Sequence, residues 1–144
     1  MIAKTRDRTL KLARDTLTIE AAALHTMRDR LEGADADALV LAVDLLHSCK
    51  GRIVVSGIGK SGHIARKIAA TFASTGSPAF FVHPAEASHG DLGMVTRDDV
   101  FVALSNSGET DELLTIVPIV KRTGAKLIAC LLYTSDAADE EDSV

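Results

Sequence analysis

Residues 52–75, RIVVSGIGKSGHIARKIAATFAST, join an apolar run, a glycine-rich loop and a stretch with helical periodicity. The run RIVVS (52–56) has the length and composition of a strand that is buried on both faces. Beyond the loop, apolar residues recur at helical spacing and predict one buried helix face, made of Ile64, Ile68, Ala69 and Phe72. The stretch therefore predicts a strand, a loop and a helix, in the order of a βαβ unit.

Three further apolar runs repeat this pattern: AFFV (79–82), VFVAL (100–104) and KLIA (126–129). Near-continuous apolar strands separated by helices or loops are typical of a parallel sheet covered on both faces. We therefore predict an α/β fold with three layers, α/β/α. Right-handed crossovers would bring the carboxyl ends of the strands to one edge, where open α/β sheets bind their ligands.

Three helices complete this prediction. Residues 1–49 are predicted to form a helical lead-in to a βαβ core at 50–129. The first helix, from about residue 8 to 31, has one apolar stripe made of Leu10, Ala13, Leu17, Ala21, Leu24 and Leu31. Asp35 is expected to cap a second helix that ends near Ser48 and turns inward Leu39, Ala42, Val43 and Leu46. After the third strand run, a helix kinked at Pro118 is expected to bury Leu113, Ile116, Val117 and Val120.

Composition excludes several classes of protein. The 144 residues, 47% hydrophobic and 25% charged, suit one globular domain, and no apolar run has the length of a membrane span or a signal peptide core. Aromatic residues make up only 3%, and residues 1–129 carry 16 bases against 15 acids, so neither nucleic acid nor an anionic membrane is an expected partner. We expect a cytoplasmic protein in which Cys49 and Cys130 are reduced.

The first loop at the predicted carboxyl edge, SGIGKSG (56–62), leaves several interpretations open. Its glycines match G-x-G-x-x-G, but a dinucleotide site also needs an acid near the end of the next strand, where this chain has Val82-His83-Pro84. An ATP-binding P-loop would need glycine at Val54. Both alternatives share a helix N-terminus whose free N–H groups attract an anion. Lys60 adds a charge to this anion-binding position, and Ser61 adds a hydroxyl.

The third loop, SNSGET (105–110), carries three hydroxyls and a glycine at the start of a helix. Capping that helix needs only one hydroxyl, so the surplus favours binding of a phosphate monoester. Glu109 and Glu112 would then lie beside the bound group. A carboxylate next to a phosphosugar is a candidate base for moving a proton between adjacent carbons.

Four motifs together resemble the sugar isomerase (SIS) domain, and specifically its D-arabinose-5-phosphate isomerase branch: GKSGH (59–63), FASTG (72–76), HPAEASHGDLGMV (83–95) and SNSGET. The resemblance covers about residues 10–129 and implies a flavodoxin-like, SIS-type sheet. It also implies interconversion of D-ribulose 5-phosphate and D-arabinose 5-phosphate for synthesis of the octulosonate sugar of lipopolysaccharide. In the full-length family it implies a homo-oligomer, a tetramer.

Matching positions imply a role for each site residue. The phosphate would be held by Ser61, Ser105, Asn106, Ser107 and Thr110, and the catalytic groups near the sugar would be Lys60, His89 and Glu112. Isomerisation through an enediol needs only a base and support for an oxyanion, so no cofactor is expected. The alternative is a sugar-phosphate-sensing SIS module without catalysis, although residues 1–48 lack the basic recognition helix of a DNA-binding regulator.

The middle loop, HPAEASHGDLG (83–93), allows a second possibility. His83, Glu86 and His89 are three residues apart, so one helical turn would make His83 and His89 possible metal ligands. The expected chemistry does not require a metal.

The chain departs from the family after residue 129. The string CLLYTSDAADEEDSV (130–144) resembles a translated sequencing adapter and is interpreted as a non-native tail; a genuine acidic tail is the alternative. The family's later acid and histidine, and its frequent CBS modules, then have no counterpart in the chain. We therefore expect this fragment to be inactive by itself.

Overall fold

The computed structural model describes residues 2–88 and 90–131, and the chain divides into two compact units. The first unit, Met1–Val43, contains helix α1 (Ile2–Arg30) and most of α2 (Ala34–His47). None of the described helices combines the length and the apolar character needed to cross a membrane.

Two expectations for these helices are wrong. Helix α2 begins at Ala34, so Asp35 lies in its first turn, where its carboxylate pairs with Arg30 at 2.7 Å instead of capping the helix from outside. An acidic residue in the first turn is favourable because it complements the helix dipole. Leu39 and Val43, which we expected to face inward, are 48% and 53% exposed.

The second unit begins at Asp44 and is built on a parallel sheet of four strands, which confirms the sequence-based prediction. The strands are β1 (Ile53–Gly57), β2 (Ala79–Val82), β3 (Val100–Ser105) and β4 (Lys126–Leu131), and they lie in the order β2-β1-β3-β4. After β1 the chain forms β2 on one side of β1 and then crosses over to form β3 on the other side of β1. The crevice between the carboxyl ends of β1 and β3 is a topological switch point.

Helices cover both faces of the sheet, as the three-layer prediction requires. Helix α3 (Gly59–Ser74) packs with Ile53, Val55, Val100, Val102 and Leu104. On the other face α4 (Pro84–Ser88), a 3₁₀ turn and α5 (Asp111–Thr123) pack with Val54, Phe101 and Ala103. On the predicted inner face of α5, Leu113, Ile116 and Val120 are buried but Val117 is only half-buried, and the helix continues through Pro118. The prediction for Ile64 is wrong, because its side chain is 57% exposed.

A buried carboxylate joins segments at the opposite, amino-terminal edge of the sheet. Asp99 is only 2% exposed. Its Oδ1 accepts the Arg52 backbone N–H at 2.7 Å, and its Oδ2 accepts the Thr96 backbone N–H at 2.7 Å and the Thr96 hydroxyl at 3.1 Å. The Arg52 side chain in turn donates to the Met94 carbonyl. Asp99 therefore holds together the starts of β1 and β3 and the end of the middle loop.

Replacement of Gly62 by alanine tests how tightly the first loop is closed. A Cβ on Gly62 would lie 2.7 Å from the Gly57 carbonyl oxygen, which is backbone and cannot move aside easily. The clash should outweigh the roughly 1 kcal/mol by which alanine is favoured in a helix, leaving a net destabilisation of about 1–2 kcal/mol in urea unfolding. Gly93→Ala is the matched control, because no atom lies within 4 Å of its Cβ. Equal stability of both variants would contradict the prediction.

Candidate active site

A cavity of about 300 Å³ opens at the carboxyl edge of the sheet, at the switch point between β1 and β3. Its polar lining is Ser61, from the start of α3, together with Ser105 and Asn106, from the end of β3. The other lining residues are Ile64, Leu104, Cys130 and Leu131. The first and third loops, predicted to carry the phosphate-binding residues, therefore meet at one cavity.

The backbone of the first loop folds tightly enough to bring these loops together. A Cβ on Gly57 would lie 3.0 Å from the Ser61 carbonyl carbon and 3.1 Å from the Leu104 carbonyl oxygen, so glycine permits β1, β3 and the start of α3 to approach closely. Gly59 has φ +56°, a left-handed conformation that glycine adopts without strain. These two glycines therefore have a backbone role in the first loop that does not depend on a bound ligand.

The N-terminus of α3, beside this cavity, carries the partial positive charge of the helix dipole, and no acidic side chain of the first turn neutralises it. The residue before the helix, Ile58, makes no side-chain cap, and the first turn contains no acid. Lys60 is exposed at the second position of the helix. Free N–H groups at a helix start, the helix dipole and a lysine together favour an anion.

The N-terminus of α5 differs in charge from that of α3. Its first turn carries Asp111 and Glu112, both exposed, and Thr110 makes no side-chain cap. These carboxylates already complement the dipole of α5 and would repel a second anion placed on the helix axis. The start of α3 is therefore more favourable to an anion than the start of α5.

The third loop is ordered by its own side chains. Ser105 Oγ accepts the Gly108 backbone N–H at 2.9 Å and lies 3.2 Å from Thr110 Oγ1. Ser107 Oγ accepts the Glu109 backbone N–H at 3.2 Å. Asn106 and Ser107 are exposed, whereas Ser105 is buried. The loop thus presents two exposed polar side chains on a turn that is shaped before any ligand binds.

The middle loop leaves the sheet from β2, the strand next to β1 on the side away from β3. The middle loop contains the short helix α4, which begins after His83, and the backbone N–H of Ala85 donates to His83 Nδ1 at 3.2 Å. His89 lies outside the described residues. Within residues 2–88 and 90–131 no group of three or more His, Cys, Asp or Glu side chains is arranged to hold a metal ion.

The structure brings some of the predicted site residues together. Ser61, Ser105 and Asn106 line one cavity, and Lys60 adjoins Ser61. Ser107, Thr110 and Glu112 follow along the chain but are not part of its lining. Sequence reasoning did not identify the apolar residues that line the cavity. Helical periodicity placed Ile64 in the core, because periodicity alone does not show which residues of an apolar face contact the sheet.

Comparison with known proteins gives three results. A family profile for the SIS domain matches residues 45–143. The arabinose 5-phosphate isomerase KdsD of Pseudomonas aeruginosa is 55% identical over 117 residues, which cover 81% of this chain and 35% of that protein. The arabinose 5-phosphate isomerase KdsD of Escherichia coli K12 is 61% identical over 88 residues, which cover 61% of this chain and 27% of that protein. A solved structure of an Escherichia coli CFT073 protein in complex with arabinose 5-phosphate superposes with a TM-score of 0.65 at 45% identity, covering 82% of this chain and 64% of that chain. The chain thus spans about a third of the length of the curated relatives it matches.

Proposed function

Because the chain belongs to the SIS-domain family, we propose that it forms the phosphosugar-binding part of an aldose–ketose isomerase that interconverts D-ribulose 5-phosphate and D-arabinose 5-phosphate. The observation that carries the proposal is the cavity in which Ser61 meets Ser105 and Asn106 beside the uncapped start of α3. Hydroxyl, amide and free backbone N–H donors around one cavity suit a phosphate monoester. The names of the relatives supply the substrate.

We propose that five side chains of the first and third loops hold the phosphate: Ser61, Ser105, Asn106, Ser107 and Thr110. Lys60, Glu112 and His89 are proposed to lie near the sugar. Lys60 and Glu112 are exposed in the first turns of α3 and α5, so both are free to reach a ligand at this edge.

The proposed reaction moves one proton between neighbouring carbons. A carboxylate, Glu112, removes the proton from C2 of the aldose, and the electron pair forms the C1–C2 double bond of an enediolate. Lys60 stabilises the negative charge that develops on the C1 oxygen. Return of the proton to C1 and transfer of the O2 proton to O1 give the C1 alcohol and the C2 carbonyl of the ketose. No net change in oxidation state of the sugar occurs, so the reaction needs no redox cofactor.

We also propose a cytoplasmic homo-oligomer, a tetramer in the full-length protein. Large apolar side chains on α1 support assembly: Leu17 and Leu24 are 64% and 66% exposed in the single chain. Burying such side chains against another surface would stabilise an oligomer through the hydrophobic effect.

A chimera tests the proposed activity, because the chain spans only 35% of the Pseudomonas aeruginosa relative. In it, the matched segment of this chain replaces the corresponding segment of that protein. We expect the chimera to interconvert the two pentose phosphates, measured by a coupled assay, whereas the chain alone is expected to give no turnover.

Two results would contradict the proposal. A chimera that binds D-arabinose 5-phosphate without converting it, while the unaltered relative remains active, would favour a sensing module. A folded chimera that binds neither pentose phosphate would show that the cavity does not accept this substrate.

A further inference from the structure

A second cavity, of about 170 Å³, lies at the amino-terminal edge of the sheet, away from the candidate active site. It is bordered by the segment after α2, the loop before β3 and the first residue of β4. Each of these segments contributes one basic residue to the lining of this amino-edge cavity: Lys50, Arg97 and Lys126. All three side chains are exposed, so all three can reach a ligand at its mouth.

Two backbone hydrogen bonds hold these segments together. The Gly51 N–H donates to the Asp98 carbonyl at 2.8 Å, which fixes the segment that carries the first lysine. The Lys126 N–H donates to the Asp99 carbonyl at 3.2 Å, which fixes the start of β4 beside the same loop. The three basic residues are thus attached to backbone that is ordered without a ligand, and this order lowers the entropy lost on binding.

The charges around the amino-edge cavity are unbalanced. Two acidic residues also line it, Asp98 and Asp99. The Asp99 carboxylate is only 2% exposed, and its two oxygens accept the backbone N–H groups of Arg52 and Thr96. The exposed side chains of the lining therefore carry three positive charges and one negative charge, a balance of +2.

The three cations lack partners of their own. In the part of the chain that the structure describes, none of them forms a salt bridge or a side-chain hydrogen bond, and the exposed Asp98 pairs with none of them. Cations that the fold brings to one cavity repel one another. A bound anion would offset this repulsion and would accept hydrogen bonds from the cations.

Basic residues also commonly complement the end of a helix, and α2 ends beside this cavity. The last carbonyls of α2, however, already have donors. The Asp44 carbonyl accepts the backbone N–H of Ser48 at 2.9 Å and its hydroxyl at 2.6 Å. The Leu46 carbonyl accepts the Cys49 N–H at 3.4 Å. The three cations are therefore not required as hydrogen-bond donors to these carbonyls.

We propose that the amino-edge cavity is a second anion-binding site, which takes inorganic phosphate or the phosphate group of a small metabolite. A phosphate carries about two negative charges near neutral pH, which matches the balance of the exposed side chains. Arg97 can donate two parallel hydrogen bonds to phosphate oxygens, and the lysines act as point charges. The inference does not depend on the proposed isomerase activity, because it involves no residue of the carboxyl edge.

Two cysteines allow the two cavities to be tested separately. Cys49 lines the amino-edge cavity, and Cys130 lines the cavity of the candidate active site. The intact chain is treated with iodoacetamide at increasing phosphate concentration and constant ionic strength, and alkylation of each cysteine is measured by mass spectrometry. At about four times the Kd for phosphate, alkylation of Cys49 should slow about fivefold, as mass action requires when only the free site reacts.

Charge variants give the prediction a sign. Arg97→Gln should weaken phosphate binding about tenfold and Lys126→Gln about threefold, as for one charge-assisted hydrogen bond and one partly screened charge. Asp98→Asn removes a repelling carboxylate and should strengthen binding about threefold. Lys67→Gln is the charge-matched control: this exposed lysine of α3 lies outside the lining, and its loss should change the Kd less than about 1.5-fold. All four side chains are exposed, so the variants should fold.

Three results would overturn the proposal. Equal protection of Cys49 by sodium chloride alone would show that the cations attract only a diffuse ion atmosphere. Protection of Cys130 without protection of Cys49 would confine phosphate to the candidate active site. Equal weakening in Lys67→Gln and Arg97→Gln would reduce the effect to net charge.

A comparison with glycerol 3-phosphate identifies the occupant. Protection of Cys49 at a lower concentration of this ester than of phosphate would support a phosphorylated metabolite, and equal concentrations would support the free ion. Failure of both probes to protect Cys49 at millimolar concentration would contradict a phosphate site.

Discussion

Glu112→Gln in the chimera is expected to lower turnover about 10²- to 10⁴-fold, the usual effect of removing a general base, while affinity for the pentose phosphate changes by less than about threefold. Glu112 is exposed in the first turn of α5, so its carboxylate can reach a ligand without the displacement of other groups. Glutamine preserves the size of the side chain but cannot accept the C2 proton. The measurement compares kcat with KM, and with the Kd for a substrate that is not turned over.

Glu109→Gln is the matched control for this prediction. Glu109 is an exposed carboxylate three residues earlier, in the third loop, so its removal changes the local charge by the same amount. We expect an effect of less than about fivefold on kcat. Unchanged turnover in Glu112→Gln, or equal losses in the two variants, would show that Glu112 acts through charge alone or has no catalytic role.

Asp99→Ala is expected to destabilise the chain by about 3–5 kcal/mol in urea unfolding. The substitution removes the buried acceptor of two part-buried hydrogen bonds, from Arg52 N–H and Thr96 N–H, and each donor that is left unpaired costs about 1–3 kcal/mol. The nearby Arg52 guanidinium, 3.8 Å from Asp99 Oδ2, also loses its carboxylate partner. Since small domains are stable by only about 5–15 kcal/mol, the variant should be largely unfolded at moderate urea concentrations.

Asp98→Ala is the control, because it removes a neighbouring carboxylate from an exposed position. The backbone carbonyl of Asp98 accepts the Gly51 N–H at 2.8 Å, and alanine retains that carbonyl. A change of less than about 0.5 kcal/mol is expected, as for most surface substitutions. Similar destabilisation by both variants would mean that net charge, and not the buried hydrogen bonds, explains the effect.

Local sequence was enough to predict the strands and most of the inner helix faces. The four apolar runs correspond to β1 through β4 to within two residues. The two central strands, β1 and β3, are buried along their length as a continuous apolar segment predicts, whereas β2 is half-buried and the edge strand β4 is largely exposed. The inner face of α5 followed from periodicity alone. Ile64 was misassigned because it extends past the carboxyl edge of the sheet, a position that depends on where α3 sits against β1.

The candidate site was partly predictable for the same reason. Clustered glycines and hydroxyls marked the first and third loops, and parallel strands must bring their carboxyl ends to one edge. Asp99 was not recognised as a structural residue, although one of its partners, the Thr96 backbone N–H, is only three residues away. Its other partner, Arg52, is 47 residues away, and no local pattern reports such a distance.

Secondary structure, the parallel sheet and the loops rich in glycine and hydroxyl side chains could all be read from the sequence, because they depend on patterns among near neighbours in the chain. Only the folded chain shows the strand order β2-β1-β3-β4. This order brings the first and third loops to one cavity and places the middle loop on the far side of β1. The same holds for the burial of the Ser105 hydroxyl beside neighbours that remain exposed. Strand order and burial arise from packing between segments distant in sequence, where several arrangements satisfy the same local pattern and the total buried surface and hydrogen bonding select one.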